Sequence, residues 1–238
     1  MNQNQPLWYL ENIDVTNIFC PNKFGAHEHS LAHKNYSKGE YIFLPGELAD
    51  KIFFITEGRV KIGSYSDTGK EITKTVLSKG EVFGELPLAG EDNRRNFAFA
   101  MEKTMTCVLS VYQMRSLMRD HSPLSIFFLK VMGSRMLEME KRLESLIFKD
   151  SRTRVVEFLK DLGMQKGERV GYEWVVRKFF THQEIANLTA TSRQTVTTVL
   201  NELEEKNILT YDRRRLLIRD IDALEREMKP KWGMSGLL

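Results

Sequence analysis

Three glycines, Gly58, Gly69 and Gly80, stand at intervals of 11 residues, each in a short polar segment between runs rich in Tyr, Ile, Phe and Val. Glycine tolerates the positive φ of tight hairpin turns, and short apolar runs at regular spacing are typical of antiparallel strands. The sequence therefore predicts a jelly roll or small β-barrel here. The predicted strands cover residues 41–44, 52–56, 60–65, 72–77 and 105–111.

A helical periodicity follows Pro123 and continues to about Lys149, and proline is favoured in a first helical turn. Apolar residues within it recur at alternating spacings of three and four, which is the heptad pattern of a two-stranded coiled coil. The pattern fits a dimerisation helix, but it also fits an amphipathic helix packed on its own barrel. The seam residues are Leu129, Met132, Met136, Met139, Leu143 and Leu146.

The remaining chain predicts a small winged helix-turn-helix, with helices over residues 154–162, 181–188 and 192–205 and strands over 208–211 and 216–219. Thr181 and Glu184 have the Thr-x-x-Glu spacing of a capping box, in which each residue satisfies a backbone N–H at a helix start. Ser192 is a good N-cap for the next helix. The turn between the two helices is so short that they must cross steeply.

The second of these helices carries polar residues opposite its apolar face, and such a helix can read DNA. Arg can donate two hydrogen bonds to guanine and Gln can pair with adenine, while Thr contacts a thymine methyl or a phosphate. A polar face is also what any solvated surface helix has, and an arginine-rich hairpin can be an ordinary charged turn. The candidate DNA-binding residues are Thr191, Ser192, Arg193, Gln194, Thr197, Thr198 and, in the wing, Arg214.

Charge and composition are consistent with this reading. The net charge is +3, and residues 151–238 carry 16 Lys and Arg against 13 Asp and Glu. We expect a cytoplasmic protein, because no apolar run is long enough to span a bilayer and the polar first residues lack the features of a signal peptide. We find no nucleophile–base pair and no convincing carboxylate pair, so we do not expect an enzyme.

Two stretches resemble the Crp/Fnr superfamily of regulators, and the resemblance extends from about Trp8 to Ala223. Phe83-Gly84-Glu85-Leu86-Pro87-Leu88, with Arg95 ten residues after Glu85, looks like the phosphate-binding cassette of cyclic-nucleotide domains. Gln183-Glu184-Ile185-Ala186 and Ser192-Arg193-Gln194-Thr195-Val196 look like the family's helix-turn-helix.

The resemblance implies an α+β chain: a double-stranded β-helix sensor domain over residues 1–122, a long dimerisation helix over 123–149 and a winged helix-turn-helix over 150–238. It implies a homodimer that binds a palindromic double-stranded DNA site, with RNA polymerase as a further partner. It also implies a small anionic effector, with cyclic AMP as one candidate, and implies no other cofactor. The implied effector-binding residues are Phe83, Gly84, Glu85, Leu86, Arg95 and Asn96.

Several positions differ from the cyclic-AMP receptors. Asn96 and Phe97 stand where those receptors have Ser and a small residue, and Met139 and Glu140 align with their purine-contacting Thr-Ser pair. Glu85 and Arg95 could therefore simply pair with each other in a vestigial pocket. The chain would then be an effector-independent regulator, or a ligand-sensing module that binds protein instead of DNA.

The DNA-reading helix also departs from the family pattern. Gln194 and Thr198 replace a frequent Glu and a frequent Arg, so we expect a half-site different from the family's usual one. Ala190 stands where the turn often has glycine, which leaves its φ in question.

We expect no metal site. An iron–sulfur cluster needs four thiolates, but the N-terminal region has only Cys20, and Cys107 lies far along the chain. Three histidines cluster before the barrel and could hold a metal or haem: His27, His29 and His33. The side chains of a His-x-His pair in an irregular segment are, however, more often simply exposed to solvent.

Overall fold

The computed structural model describes residues 32–228. Their contacts divide into two compact units, and the division falls between Leu137 and Glu138, inside a long helix. Residues 32–137 are called the N-terminal unit and residues 138–228 the C-terminal unit below. Each unit has its own sheets, helices and core.

The N-terminal unit contains two four-stranded antiparallel sheets. The first has the strand order β1-β8-β3-β6 and the second has the order β2-β7-β4-β5. This is the expected jelly-roll arrangement of two facing sheets. The strands are β1 (Ala32–Tyr36), β2 (Tyr41–Phe43), β3 (Lys51–Glu57), β4 (Arg59–Tyr65), β5 (Glu71–Ser78), β6 (Val82–Phe83), β7 (Phe97–Ala100) and β8 (Thr104–Ser110).

Side chains that alternate along the strands form two separate cores. The core between the sheets includes Phe43, Phe53 and Phe83, and Phe53 and Phe83 stack with ring centroids 4.8 Å apart. The second core covers the outer face of the first sheet, where Ile52 and Leu109 pack beneath two helices. Both interiors are therefore filled mainly by aromatic and branched apolar side chains.

Two helices close the N-terminal unit, α1 (Val111–Asp120) and α2 (Ser122–Phe148). The strand predicted over residues 105–111 was wrong at its end, because Val111 begins α1. Ser110 and Gln113 form a capping box there, which starts a helix that the sequence analysis missed. The long helix was predicted to within a residue at each end.

The C-terminal unit combines four helices with one antiparallel sheet of strand order β11-β12-β10-β9. The helices are α3 (Ser151–Lys166), α4 (His182–Leu188), α5 (Arg193–Glu205) and α6 (Ile221–Glu227). The strands are β9 (Glu168–Val170), β10 (Glu173–Arg177), β11 (Leu209–Tyr211) and β12 (Arg215–Ile218). Leu159 of α3, Ile185 of α4 and Leu200 of α5 are among its fully buried residues.

The predicted fold class, α+β with a β-rich N-terminal domain, a long helix and a winged helix-turn-helix, is confirmed. Gly58, Gly69 and Gly80 all have positive φ, between 77° and 92°. The sequence analysis missed β1, β6, β7, β9 and β10, which are short or lack a clear alternation. The domain boundaries at residues 122 and 150 stay predictions, and so does the loose tail from Pro230, which lies outside the described residues.

Candidate functional site

The helix-turn-helix is set by the two caps that the sequence predicts. Glu184 accepts a hydrogen bond from the Thr181 backbone N–H at 2.7 Å, and the Thr181 hydroxyl accepts one from the backbone N–H of Glu184. Ser192 caps α5 by accepting from the backbone N–H of Thr195 at 3.0 Å. Both helices therefore begin at fixed residues, and the turn between them cannot change length.

Arg154 of α3 holds that turn in place, although the sequence analysis gave it no role. Its guanidinium donates to the carbonyl of Thr189 at 2.9 Å and to that of Ala190 at 3.0 Å. It also donates to the carbonyl of Lys149, at the end of α2. Ala190 has a φ of 50°, so alanine occupies the left-handed conformation that the turn requires.

Three side chains of α5 are exposed and have no hydrogen-bond or ion-pair partner within residues 32–228: Arg193, Gln194 and Thr198. The other side of the helix is buried, with Val196, Val199, Leu200 and Leu203 in the core. The packing fixes the orientation of α5, while the three polar side chains remain available to a ligand.

Two further polar residues of α5 are already engaged inside the unit. The Thr197 hydroxyl donates to the carbonyl of Arg193 at 3.0 Å and lies 2.8 Å from Nδ1 of His182. The Tyr211 hydroxyl donates to the side-chain oxygen of Asn201 at 2.9 Å. Thr197, a candidate DNA-binding residue, therefore forms hydrogen bonds inside the unit. Thr191 is half-buried, with its backbone N–H on the carbonyl of Ala186.

A shallow groove of about 300 Å³ runs beside α5. Ser192, Thr195, Thr198 and Gln194 contribute polar groups to its lining, and Arg152 lies at its wall. The Arg152 guanidinium donates to the carboxylates of Glu202 and Glu227, at 3.1 and 2.5 Å. Hydroxyls beside a guanidinium are groups that bind phosphate oxygens.

The wing hairpin is organised by Asp212. Its carboxylate accepts from the backbone N–H groups of Arg214 and Arg215 and from the Arg215 side chain, and these bonds lower the pKa of Asp212. The Arg215 side chain is therefore held by Asp212. The guanidinium groups of Arg213 and Arg214 are exposed and have no partner in the described part of the chain, as expected of phosphate contacts at the wing tip.

The cassette in the N-terminal unit is held from beneath by Arg94, a second residue that sequence reasoning missed. Arg94 is buried over the ring of Phe43, 4.5 Å from its centroid. It donates to the carbonyls of Gly84, at 3.0 Å, and Lys51. Burial lowers its pKa, against the effect of the acidic residues around it. Gly84 has a φ of 74°, and a Cβ there would lie 3.1 Å from the Lys51 carbonyl oxygen, so only glycine fits comfortably.

The possible pairing of Glu85 with Arg95 was wrong. The Glu85 carboxylate is buried and receives the guanidinium of Arg135 from α2, which also donates to the carbonyl of Val82. Arg95 is 85% exposed, and its Nε lies 3.9 Å from Glu91. Arg135 is 50 residues from Glu85 in sequence, so only the packing of α2 on the sheet reveals their contact.

The other cassette residues are dispersed. Phe83 belongs to the core between the sheets, and Leu86 is exposed at the start of a short 3₁₀ helix (Leu86–Ala89). The side-chain oxygen of Asn96 accepts from Nζ of Lys74 at 2.6 Å. The structure thus brings Gly84 and Glu85 together with Arg94 and Arg135, but it does not bring Arg95 to them.

The predicted seam of α2 is largely uncovered in the single chain. Met139 is 71% exposed and Leu143 59%, whereas Leu124, Phe127, Phe128 and Val131 form the buried face of the same helix. The helix does pack on its own barrel, but through this other face, so that packing leaves Leu129 and Met136 of the seam uncovered. Leu129, Met136 and Leu146 are also exposed, and Met132 is half-buried.

Within residues 32–228, no group of three or more His, Cys, Asp or Glu side chains is placed to hold a metal ion. His33 lies in β1 with its Nδ1 3.5 Å from Sγ of the buried Cys107. His27, His29 and Cys20 lie outside the described residues. The helices that the structure describes include none long and apolar enough to cross a membrane.

Comparison with known proteins agrees with this architecture. The family model for the cyclic nucleotide-binding domain matches residues 33–121, and the family model for the Crp-like helix-turn-helix domain matches residues 153–227. The cyclic AMP receptor protein of Thermus thermophilus is 30% identical, over 80% of this chain and 85% of its own length. The global nitrogen regulator of Synechocystis is 28% identical, over 82% of this chain and 87% of its own length.

A solved structure of a CooA mutant from Carboxydothermus hydrogenoformans superposes with a TM-score of 0.74 at 26% identity, covering 86% of this chain and 93% of that one. A β-rich domain of the cyclic-nucleotide-binding type, joined to a DNA-binding helix-turn-helix, defines a transcription regulator and not an enzyme. The chain belongs to the Crp/Fnr superfamily of transcription regulators.

Proposed function

We propose that the protein works as a homodimer that binds a two-fold symmetric DNA site through α5. The observation that carries this proposal is the set of three unpartnered side chains, Arg193, Gln194 and Thr198, on a helix whose other face is buried. The first turns of such a helix enter the major groove, where these side chains reach base edges. We assign Ser192, Arg213 and Arg214 to phosphates.

The dimer is supported by the exposed seam of α2. An apolar stripe at heptad spacing loses contact with water when two such helices pair. Two helix-turn-helix units related by a two-fold axis would then face two half-sites, which is why we expect a palindromic operator. The cytoplasm, as the compartment that holds bacterial DNA, and RNA polymerase, as a partner at promoters, follow from this proposed role.

We also propose that a small anion, with cyclic AMP as one candidate, binds at the cassette. Arg95 supports this, because an exposed guanidinium held only by a long surface ion pair is free to turn towards an anionic ligand. Gly84 and Glu85 would supply backbone N–H groups for the anion, and Arg135 and Lys74 add positive charge nearby.

A second candidate, a regulator that needs no effector, is favoured by a specific contact. The Glu85 carboxylate, which would have to accept a hydrogen bond from the ribose hydroxyl of a cyclic nucleotide, is already satisfied by Arg135. The Phe43, Phe53 and Phe83 rings also fill the space between the sheets. A protein of this kind would bind its operator equally well with and without any small molecule.

The DNA proposal is tested by selecting sites from a random duplex library and measuring the affinity for the selected site. We expect Arg193→Ala to lower specific affinity by about 1–3 kcal/mol and to relax the preference at one base pair in each half-site. The matched control is Arg177→Ala, an exposed arginine of β10 that is paired with Glu168. A protein without salt-dependent DNA affinity would instead be the protein-binding module.

The effector proposal is tested by calorimetry with cyclic AMP and cyclic GMP, comparing the wild type with Arg95→Ala. Arg119→Ala, at the end of α1, is the control. Micromolar binding that only Arg95→Ala abolishes would support the anion site. The absence of heat with both nucleotides, together with operator binding in their absence, would favour the effector-independent regulator.

A further inference from the structure

His182, the first residue of α4, contacts α5, the helix proposed above to read DNA and called the reading helix below. The function proposed above gives His182 no role. Its Nδ1 is 2.8 Å from the Thr197 hydroxyl, and its ring packs on Tyr211 with centroids 5.6 Å apart. The side chain is half-buried. In a helix-turn-helix the first helix crosses the DNA backbone while the second enters the major groove, so this position faces phosphates.

The hydrogen bonds around Thr197 determine which nitrogen of His182 carries the proton. The Thr197 hydroxyl has one proton, and it donates that proton to the carbonyl of Arg193 at 3.0 Å. With that proton donated to the carbonyl, we assign Nδ1 of His182 as the donor in its contact with the hydroxyl oxygen. In a neutral ring Nε2 then has a lone pair and no proton, and it has no partner within residues 32–228.

We propose that His182 is a proton-dependent DNA contact. When a DNA phosphate lies beside it, the imidazole takes a proton from solvent onto Nε2, and the resulting Nε2–H donates a hydrogen bond to a phosphate oxygen. The inference rests on the proposed use of α5 as the reading helix. Nδ1 keeps its hydrogen bond to the Thr197 hydroxyl in both protonation states of the ring. The support of α5 and the phosphate contact therefore use different nitrogens of one ring.

The charges around the ring favour uptake of the proton only when DNA is present. Burial and the nearby Arg193 of α5 hold the pKa of His182 below its usual value in the free protein. Tyr211 of β11 is the other titratable group against the ring, and burial raises its pKa, so the phenol stays neutral. A phosphate opposes the effect of Arg193 and raises the pKa of His182. DNA affinity must therefore increase as the pH falls through the range between the free and bound pKa values.

The test is the dissociation constant for a selected operator and for a non-specific duplex at pH 6.0 and pH 8.0, at fixed ionic strength. For a rise of one pKa unit in the complex, the gain in affinity approaches about tenfold only well below the pKa of the free protein. Because that pKa is already below its usual value, we expect the wild type to bind about three- to fivefold more tightly at pH 6.0 than at pH 8.0. Because the contact is to phosphate, both duplexes should show the effect. The plot of log affinity against log salt should also steepen by about 0.9 at pH 6.0, the contribution of one phosphate contact.

Two variants separate the contact from support of the fold. His182→Gln keeps a donor for Thr197 but cannot gain a charge, so its affinity should be independent of pH and close to the pH 8.0 value of the wild type. His182→Arg is charged throughout and should bind at both pH values as the wild type does at pH 6.0. His121→Gln, at the end of α1 in the N-terminal unit, should keep the wild-type pH dependence.

Equal pH dependence in the wild type and His182→Gln would overturn this inference and leave the proposed DNA binding intact. A wild type whose affinity does not change with pH would do the same. The absence of binding to either duplex at both pH values would contradict the proposed function, and the inference with it.

Discussion

Ala190 has the left-handed backbone conformation of the turn between α4 and α5, with a φ of 50°. A residue with a Cβ is disfavoured in this conformation by about 1–2 kcal/mol, whereas glycine adopts it freely. Glycine also makes the unfolded chain more flexible, which opposes the gain by about 0.4–1 kcal/mol. We expect Ala190→Gly to raise the free energy of unfolding by roughly 0.5 kcal/mol, measured by urea denaturation.

The control for this prediction is Ala223→Gly in α6, where the residue is helical and glycine should destabilise by about 1 kcal/mol. If Ala190→Gly were destabilising to the same extent, strain at Ala190 would not limit the stability of the turn.

Motif spacing identified Gly84, Glu85 and Arg193 because each belongs to a short local pattern. It could not identify Arg94 or Arg135, whose partners lie far along the chain: Arg135 depends on how α2 lies on the sheet, and Arg94 on a carbonyl 43 residues away. Spacing also could not show where the side chain of Arg95 lies. Arg95 has the expected spacing from Glu85, but its side chain lies on the surface beside Glu91.

Caps located two helices from the sequence, but α1 and α6, which also begin with caps, were missed. The Thr181–Glu184 box and the Ser192 cap located α4 and α5 to within a residue. The equivalent box at Ser110 and Gln113 was overlooked, so α1 was not predicted and its first residue, Val111, was assigned to the preceding strand. Strands β9 and β10 contain too few alternating residues for a period of two to stand out.

The helix-turn-helix depends on α3 through Arg154, whose guanidinium binds three backbone carbonyls. Hydrogen bonds from a charged donor each contribute about 1.5–3 kcal/mol, and those in one network are not additive. We expect Arg154→Ala to lower the free energy of unfolding by about 2–3 kcal/mol, measured by urea denaturation.

Arg154→Lys tests the geometry of this contact. One ammonium group cannot reach the carbonyls of Thr189, Ala190 and Lys149 together, so lysine should recover less than half of the loss. If lysine restored full stability, the positive charge alone would be sufficient and the forked arrangement would not matter.

The proposed dimerisation through the exposed stripe on α2 is tested by one substitution. Leu143 is exposed in the single chain, so Leu143→Glu should leave each chain folded. In a dimer it would bury two like charges without partners, which costs at least about 2 kcal/mol for each chain. The two chains together cost at least about 4 kcal/mol, so the dimer dissociation constant should rise by nearly a thousandfold or more, measured by sedimentation.

Ser134→Glu adds the same charge to the same helix but away from the seam, at an exposed residue, and should sediment as the wild type does. A wild type that is monomeric at micromolar concentration, or a Leu143→Glu variant that remains dimeric, would contradict the role of the seam.

The proposed pairing of two chains through the exposed stripe on α2 would also relate gene dosage to response. When the chain is less abundant than the dimer dissociation constant, the number of dimers rises with the square of the amount synthesised. While the operator is mostly unoccupied, doubling the synthesis of the chain then raises operator occupancy about fourfold, as mass action requires. A mutation that weakens pairing would move the abundance threshold for regulation without altering any contact with DNA.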